Sequence, residues 1–96
     1  MKSVMQSNRL CWFCGSPYVD LHHIRLNNHS RKLAEKYGMV CWLCRKHHRW
    51  VHTDIAAKTI LQQYAQLQFE SRHSHEEYME IFGKDYFEET DDVRGE

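Results

Sequence analysis

The chain lacks any apolar run approaching the ~18 residues that suggest a membrane span, and its opening MKSVMQSNR is polar, with no signal-peptide pattern. These absences argue against a membrane protein and for a cytoplasmic setting. Proline is nearly missing: Pro17 is the only one, and with four glycines and no low-complexity tract there is no internal linker. Acidic residues are scarce in the first half. Residues 1–52 hold two Asp/Glu against nine Lys/Arg, a net of +7. Residues 53–96 reverse this, with eleven Asp/Glu against four Lys/Arg, a net of −7, so the formal net charge of zero conceals a polar chain. A basic half of this kind suits a polyanionic partner, most plausibly nucleic acid, the competing reading being a solvated basic face.

Ninety-six residues make one small domain, and a core of that size is commonly stapled by disulfides or a metal. The four cysteines all lie in the basic half, as do six of the eight histidines. Where thiols stay reduced, closely paired cysteines bind metal more often than they bridge.

The element pattern is that of a small α+β domain. Residues 1–9 read as a loose arm, and Cys14-Gly15-Ser16-Pro17 as a turn between the short segments Leu10–Phe13 and Tyr18–Ile24. Tyr18–His22 has strand composition, Arg31–Tyr37 predicts a short helix stopped by Gly38, and Met39–Leu43 predicts a second strand. Arg45–His52 reads as a helix, with Thr53-Asp54 opening another over about Ile55–Ser71 whose apolar face is Ile60, Leu61, Tyr64 and Leu67. Ser74 and Glu77 match a capping box for a last helix over Tyr78, Met79, Ile81 and Phe82, closed by Gly83. The acidic remainder, 88–96, reads as a frayed tail.

The chemistry concentrates in CWFCGSPYVDLHHI, residues 11–24, and CWLCRKHHRWVH, residues 41–52. A tetrahedral zinc site takes four Cys/His ligands, often as two short pairs. Cys11 and Cys14 form one pair; Cys44 with His47 is the preferred second, and Cys41 with Cys44 the alternative. The preference follows from Cys41 falling inside an apolar strand while Cys44 and His47 straddle the strand-to-helix junction. A redox role for the Cys-x-x-Cys pairs would require a βαβ context, which is missing. His48 and His52, at i and i+4, share one helix face and can chelate one ion. His22 and His23 alternate across a strand, so one can join that pair while its neighbour stays free to move protons.

Taken together, LHHI (Leu21–Ile24) and LCRKHHRWVH (Leu43–His52) resemble the two ends of an HNH endonuclease motif, the ββα-metal or His-Me finger, in its zinc-knuckle version. The His-His and His-x-x-x-His spacing is also similar to the nuclease domains of DNase colicins. Ser74–Tyr86, SHEEYMEIFGKDY, resembles the tail of small phage and prophage HNH proteins, so the likeness spans about residues 9–87.

That resemblance implies a single HNH nuclease domain: a zinc-knuckle ββα-metal core over 10–52 and a helical extension over 53–87. It implies a structural Zn²⁺ on Cys11, Cys14, Cys44 and His47. A catalytic divalent ion (Mg²⁺, Mn²⁺, Ni²⁺ or Zn²⁺) would sit on His22, His48 and His52, and His23 would be the general base. The central Asn of the family has no match near Tyr37-Gly38; Asn27 and Asn28 are the nearby candidates. Asn28-His29-Ser30 also fits a glycosylation sequon, which a cytoplasmic chain would not use.

The expected activity is hydrolysis of DNA phosphodiesters by a phage- or prophage-encoded endonuclease or nickase in a bacterial cytoplasm, as a monomer or homodimer. Arg25, Arg31, Lys32, Arg45, Lys46 and Arg49 are the expected phosphate contacts, with Trp42 and Trp50 packed against the knuckle. The competing reading is a non-catalytic phage accessory module that uses zinc only to hold a DNA- or protein-binding surface.

Overall fold

The computed structural model describes residues 2–27 and 31–87. The expected acidic tail and the Asn28 sequon lie outside them. The elements run β1 (Val19–His23), α1 (Arg31–Tyr37), β2 (Val40–Cys44), α2 (Arg45–Thr53), α3 (Ile55–Glu70) and α4 (His75–Phe82). This is a small α+β fold with one two-stranded antiparallel sheet and four helices among the described residues. None of these helices is long and apolar enough to cross a membrane.

β1 and β2 pair in the register Leu21↔Trp42, His22↔Cys41, His23↔Val40. Because side chains alternate along a strand, His22 shares a face with Cys41 and Leu43, and His23 shares the other with Val40 and Trp42. The first face meets α2. The N-terminal residues run along the edge of β2 away from β1 and are not the loose arm their composition suggests. The Val4 N–H donates to the Gly38 carbonyl (2.9 Å), the Ser3 hydroxyl donates to the Val40 carbonyl, the Trp42 N–H donates to Gln6 Oε1 (2.8 Å), and Met5 is buried. Gly38 makes the close approach possible. It ends α1 at φ 73°, and a Cβ there would sit 2.8 Å from the Lys2 carbonyl oxygen.

The strand-to-helix junction is abrupt: Cys44 ends β2 and is the N-cap of α2, with φ −67° and ψ 163°. Asp54 then breaks α2 from α3 in an extended conformation, its carboxylate accepting from the Ala57 N–H (3.0 Å) and from Trp50 Nε1–H (3.1 Å). Ser74 caps α4 by accepting from the Glu77 N–H (3.0 Å), and Gly83 follows it in the left-handed region. The Glu77 carboxylate turns to His73 instead (3.3 Å), so only half of the capping box forms.

Half of the apolar stripe expected on α3 reaches the core: Leu61 is buried and Tyr64 packs against it, but the buried face is turned away from the other two. Ile60 and Leu67 are exposed at 47% and 51%, while Ala57, Leu61, Gln62, Ala65, Gln66 and Phe69 are buried. Two buried glutamines explain the rotation, since each finds partners that apolar counting overlooks. Gln62 Nε2–H donates to the Arg25 carbonyl (3.1 Å). Gln66 Nε2–H donates to Glu70 and Asp85 (2.9 and 2.8 Å), and Gln66 Oε1 accepts from the Tyr86 N–H (2.8 Å). Phe69 packs edge-on against Tyr37 and Phe82, whose centroids lie 5.9 and 5.6 Å away.

This rotation sets a contrast between two leucines on one helix. Leu61→Ala should cost about 2–5 kcal/mol in urea unfolding, and Leu67→Ala less than about 1 kcal/mol. Equal losses would mean that the stripe Ile60–Leu67, and not Leu61–Phe69, faces the core.

Candidate metal centres

Two clusters of metal-ligating side chains stand on either side of α2. In the first, the Cys11–Cys14 turn is closed by the Gly15 N–H donating to the Cys11 carbonyl (2.8 Å), which brings both sulfurs toward the start of α2. Cys14 Sγ lies 3.8 Å from Cys44 Sγ, and His47 Nδ1 lies 3.2 Å from Cys44 Sγ and 3.5 Å from Cys11 Sγ. One zinc with tetrahedral bonds of ~2.3 Å to sulfur and ~2.05 Å to nitrogen requires separations of about 3.8 and 3.6 Å. The set fits, and Cys11, Cys14, Cys44 and His47 can hold a metal ion.

Thiol acidity differs among the ligands: at Cys14 the Ser16 N–H pulls it down, but burial and the neighbouring Cys11 and Cys44 sulfurs raise it overall. Burial pushes the Cys11 thiol up, but backbone N–H groups at Cys44, Cys14 and Phe13 outweigh it and bring it down to about 6. Cys41, fully enclosed opposite His22, is pushed up to about 12 by burial and then by the nearby Cys11. It is an inert thiol of the core. Phe13 and Trp50 wall the cluster, with ring centroids 5.2 Å apart and 5.3 and 5.8 Å from that of His47. Trp50 thus packs at the knuckle as expected, whereas Trp42 lies under the guanidinium of Arg9, 4.5 Å from its ring centroid.

The second cluster is His22, His48 and His52. Their ring centroids lie 5.1, 5.6 and 5.0 Å apart, and one nitrogen from each ring falls within 4.8 Å of the others, so they too can hold an ion. Three imidazoles without a carboxylate suit Zn²⁺ or Ni²⁺ better than Mg²⁺, which prefers oxygen ligands. Burial first, then the facing His48 and His52, lowers His22 to about 4, and His48 is lowered by burial and by His52. The lowering at His22 and His48 favours their neutral, metal-binding form.

His23 stands outside this trio of ligands, as strand alternation requires, but still lines the cleft over them. Its Nε2 lies 2.8 Å from Glu35 Oε2 on α1, a partner that motif spacing alone does not reveal. An ionised carboxylate only accepts, so Nε2 is the nitrogen that donates to Glu35. Asn27 holds the loop after β1 at φ 56°; its N–H donates to Tyr86 Oη (2.8 Å) and its Nδ2–H to the Phe82 carbonyl (3.0 Å).

A cleft of about 470 Å³ opens over the three histidines and is also lined by His23, Arg25, Arg31 and Lys58. Lys58 was not among the expected phosphate contacts, because it stands in the acidic half. Arg45, Lys46 and Arg49 instead flank Trp50 and Thr53 in a shallower depression that shares no residue with the cleft. Helical geometry at 100° per residue turns that depression away from His48 and His52. Lys32 lines neither.

No family model, curated protein or solved structure matches this chain.

Two measurements test the centres. In native mass spectrometry with added Zn²⁺, the parent and Cys41→Ala should each take up an ion at this cluster that Cys44→Ala and His47→Ala do not; loss of uptake in Cys41→Ala would overturn the ligand set. Acid should also act through His22. Between pH 6.5 and about 4 the unfolded chain binds a proton that the folded one refuses, so stability falls by up to roughly 3 kcal/mol as pH drops through that window and flattens below it. His22→Asn, compared with the parent while each carries only the knuckle zinc, should lack this component of the decline.

Proposed function

We propose that this chain is a metal-dependent DNA endonuclease or nickase of the HNH type, its β1–β2–α2 unit serving as a ββα-metal finger. The observation that carries the reading is the convergence of His22, His48 and His52 in a cleft that also holds His23 and three cations. A bare zinc module has no need of that second histidine set.

In this reading Arg25, Arg31 and Lys58 hold the phosphate backbone in the cleft, giving affinity without sequence choice. His22, His48 and His52 would bind the divalent ion, whose chemistry is Lewis-acid stabilisation of charge developing on phosphate oxygens. His23 Nδ1 accepts a proton from water as the water oxygen attacks phosphorus. The P–O bond to the leaving oxygen breaks, and solvent supplies that oxygen's proton. Glu35 acts through His23 as a positioning residue, fixing the tautomer and the ring plane. The chain would work in the cytoplasm of a bacterial host, as a phage- or prophage-encoded protein. The second reading, a non-catalytic zinc module that binds DNA, draws on the Arg45–Lys46–Arg49–Trp50 face, which stands apart from the histidine cleft.

Supercoiled plasmid incubated with Mg²⁺, Mn²⁺, Ni²⁺, Zn²⁺ or EDTA separates the two. The nuclease reading expects ion-dependent nicking that His23→Ala lowers by about 10²–10⁴ with zinc content unchanged. Glu35→Ala should lower kcat at unaltered KM, and Glu35→Gln, whose amide oxygen still accepts from Nε2–H, should recover much of the loss. Parental cutting by His23→Ala would remove its role as base; no cutting with any ion would leave the binding module.

A further inference from the structure

A second groove, of about 350 Å³, lies on the other side of His23. It runs between the N-terminal arm, α1 and the α3–α4 turn and is lined by Lys2, Glu35, Lys36, Phe69, Arg72 and His73, among others. Its cations come from three separate parts of the chain. Its floor is aromatic, with the His73 imidazole stacked on Phe69 at 4.3 Å between centroids and 18° between planes. Glu35, the one acid among its lining residues, is hydrogen-bonded to His23 (2.8 Å), and the lining His73 pairs with Glu77 (3.3 Å), which does not line the groove. Lys36 Nζ lies 5.4 Å from the Tyr37 ring centroid, with no carboxylate paired to it among the described residues.

The distribution of charge singles this groove out. Residues 53–96 carry eleven acids and four cations. Among the described residues, none of those acids lines either the histidine cleft or this groove, whereas Lys58 lines the first and Arg72 the second. The two depressions are linked through a hydrogen bond, since His23 lines one and Glu35 the other.

We propose that the groove between the arm, α1 and the α3–α4 turn is a second phosphodiester-binding site, holding the flank of the DNA strand on the side of His23 away from the three-histidine cluster. The proposal rests on the nuclease reading for the direction of the strand, but binding alone tests it. Lys2, Lys36 and Arg72 would contact phosphates, and the exposed His73 ring, backed by the buried Phe69, would support a sugar or base. The pinning of the arm through Gly38 then has a functional result, because it holds Lys2 at the rim.

Fluorescence anisotropy with a short DNA duplex, on protein carrying only the knuckle zinc and no added ion, measures this without cleavage. Lys36→Glu/Arg72→Glu should weaken binding at least about tenfold at 0.1 M salt and reduce the slope of log K against log salt by about 2. Lys36→Gln/Arg72→Gln should move both quantities the same way by less, and serves if charge reversal disturbs folding. Lys84→Glu, outside both depressions, should change affinity by less than about twofold. Parental affinity and slope in the Lys36/Arg72 variants, or an equal loss from Lys84→Glu, would overturn the groove. A parent that binds with this dependence but never cuts plasmid keeps the groove and removes the nuclease. A parent that cuts while the Lys36/Arg72 variants bind normally does the reverse, and one that binds no DNA removes both.

Discussion

Cys44 ends β2, caps α2 and stands with Cys11, Cys14 and His47, so the same few atoms decide where the helix begins and how it is turned. Successive helical residues are 100° apart, so once His47 faces the cysteines, His48 and His52 are aimed at β1. His22 waits there because pairing with Cys41 puts it on the α2 side of the sheet. Everything proposed about chemistry depends on this junction. A small domain of this length has little core to spare for holding a helix at a fixed rotation, and a metal-ligand set at the first turn does so with few residues.

The sheet separates the two jobs that adjacent histidines can do. His22 enters a half-buried cluster of imidazoles, where burial and like neighbours favour its neutral form. His23 reaches α1 and a carboxylate on the opposite face. A strand provides this division automatically, with no loop rearrangement needed.

Much of this was legible in the residues. Gly38, Asp54, Ser74 and Gly83 mark helix ends through turn and capping chemistry that acts over a few residues, and each stands where that chemistry predicts. The preference for His47 over Cys41 was also available, because a thiol inside an apolar strand faces the core. What escaped was tertiary. The rotation of α3 is set by Gln62 reaching the Arg25 carbonyl and Gln66 reaching Asp85 and Tyr86, partners distant in sequence. The arm looked loose because its polar side chains gave no sign of meeting Gly38 and Val40. Glu35 is similar: a glutamate on a short charged helix is ordinarily solvated, and only the fold sets it against His23. Asn27, one of two candidates for fastening the loop, is tied to the end of α4 by two hydrogen bonds.

The sharing of α2 by both clusters also constrains how this chain can change. Substitutions on the outer surface of that helix leave the spacing of its ligands intact, but adding or removing one residue between His47 and His48 would swing His48 and His52 by 100° relative to the cysteines. No side-chain adjustment restores both sets at once. The segment between Cys44 and His52 should therefore tolerate substitution on its outer surface far better than any change of length.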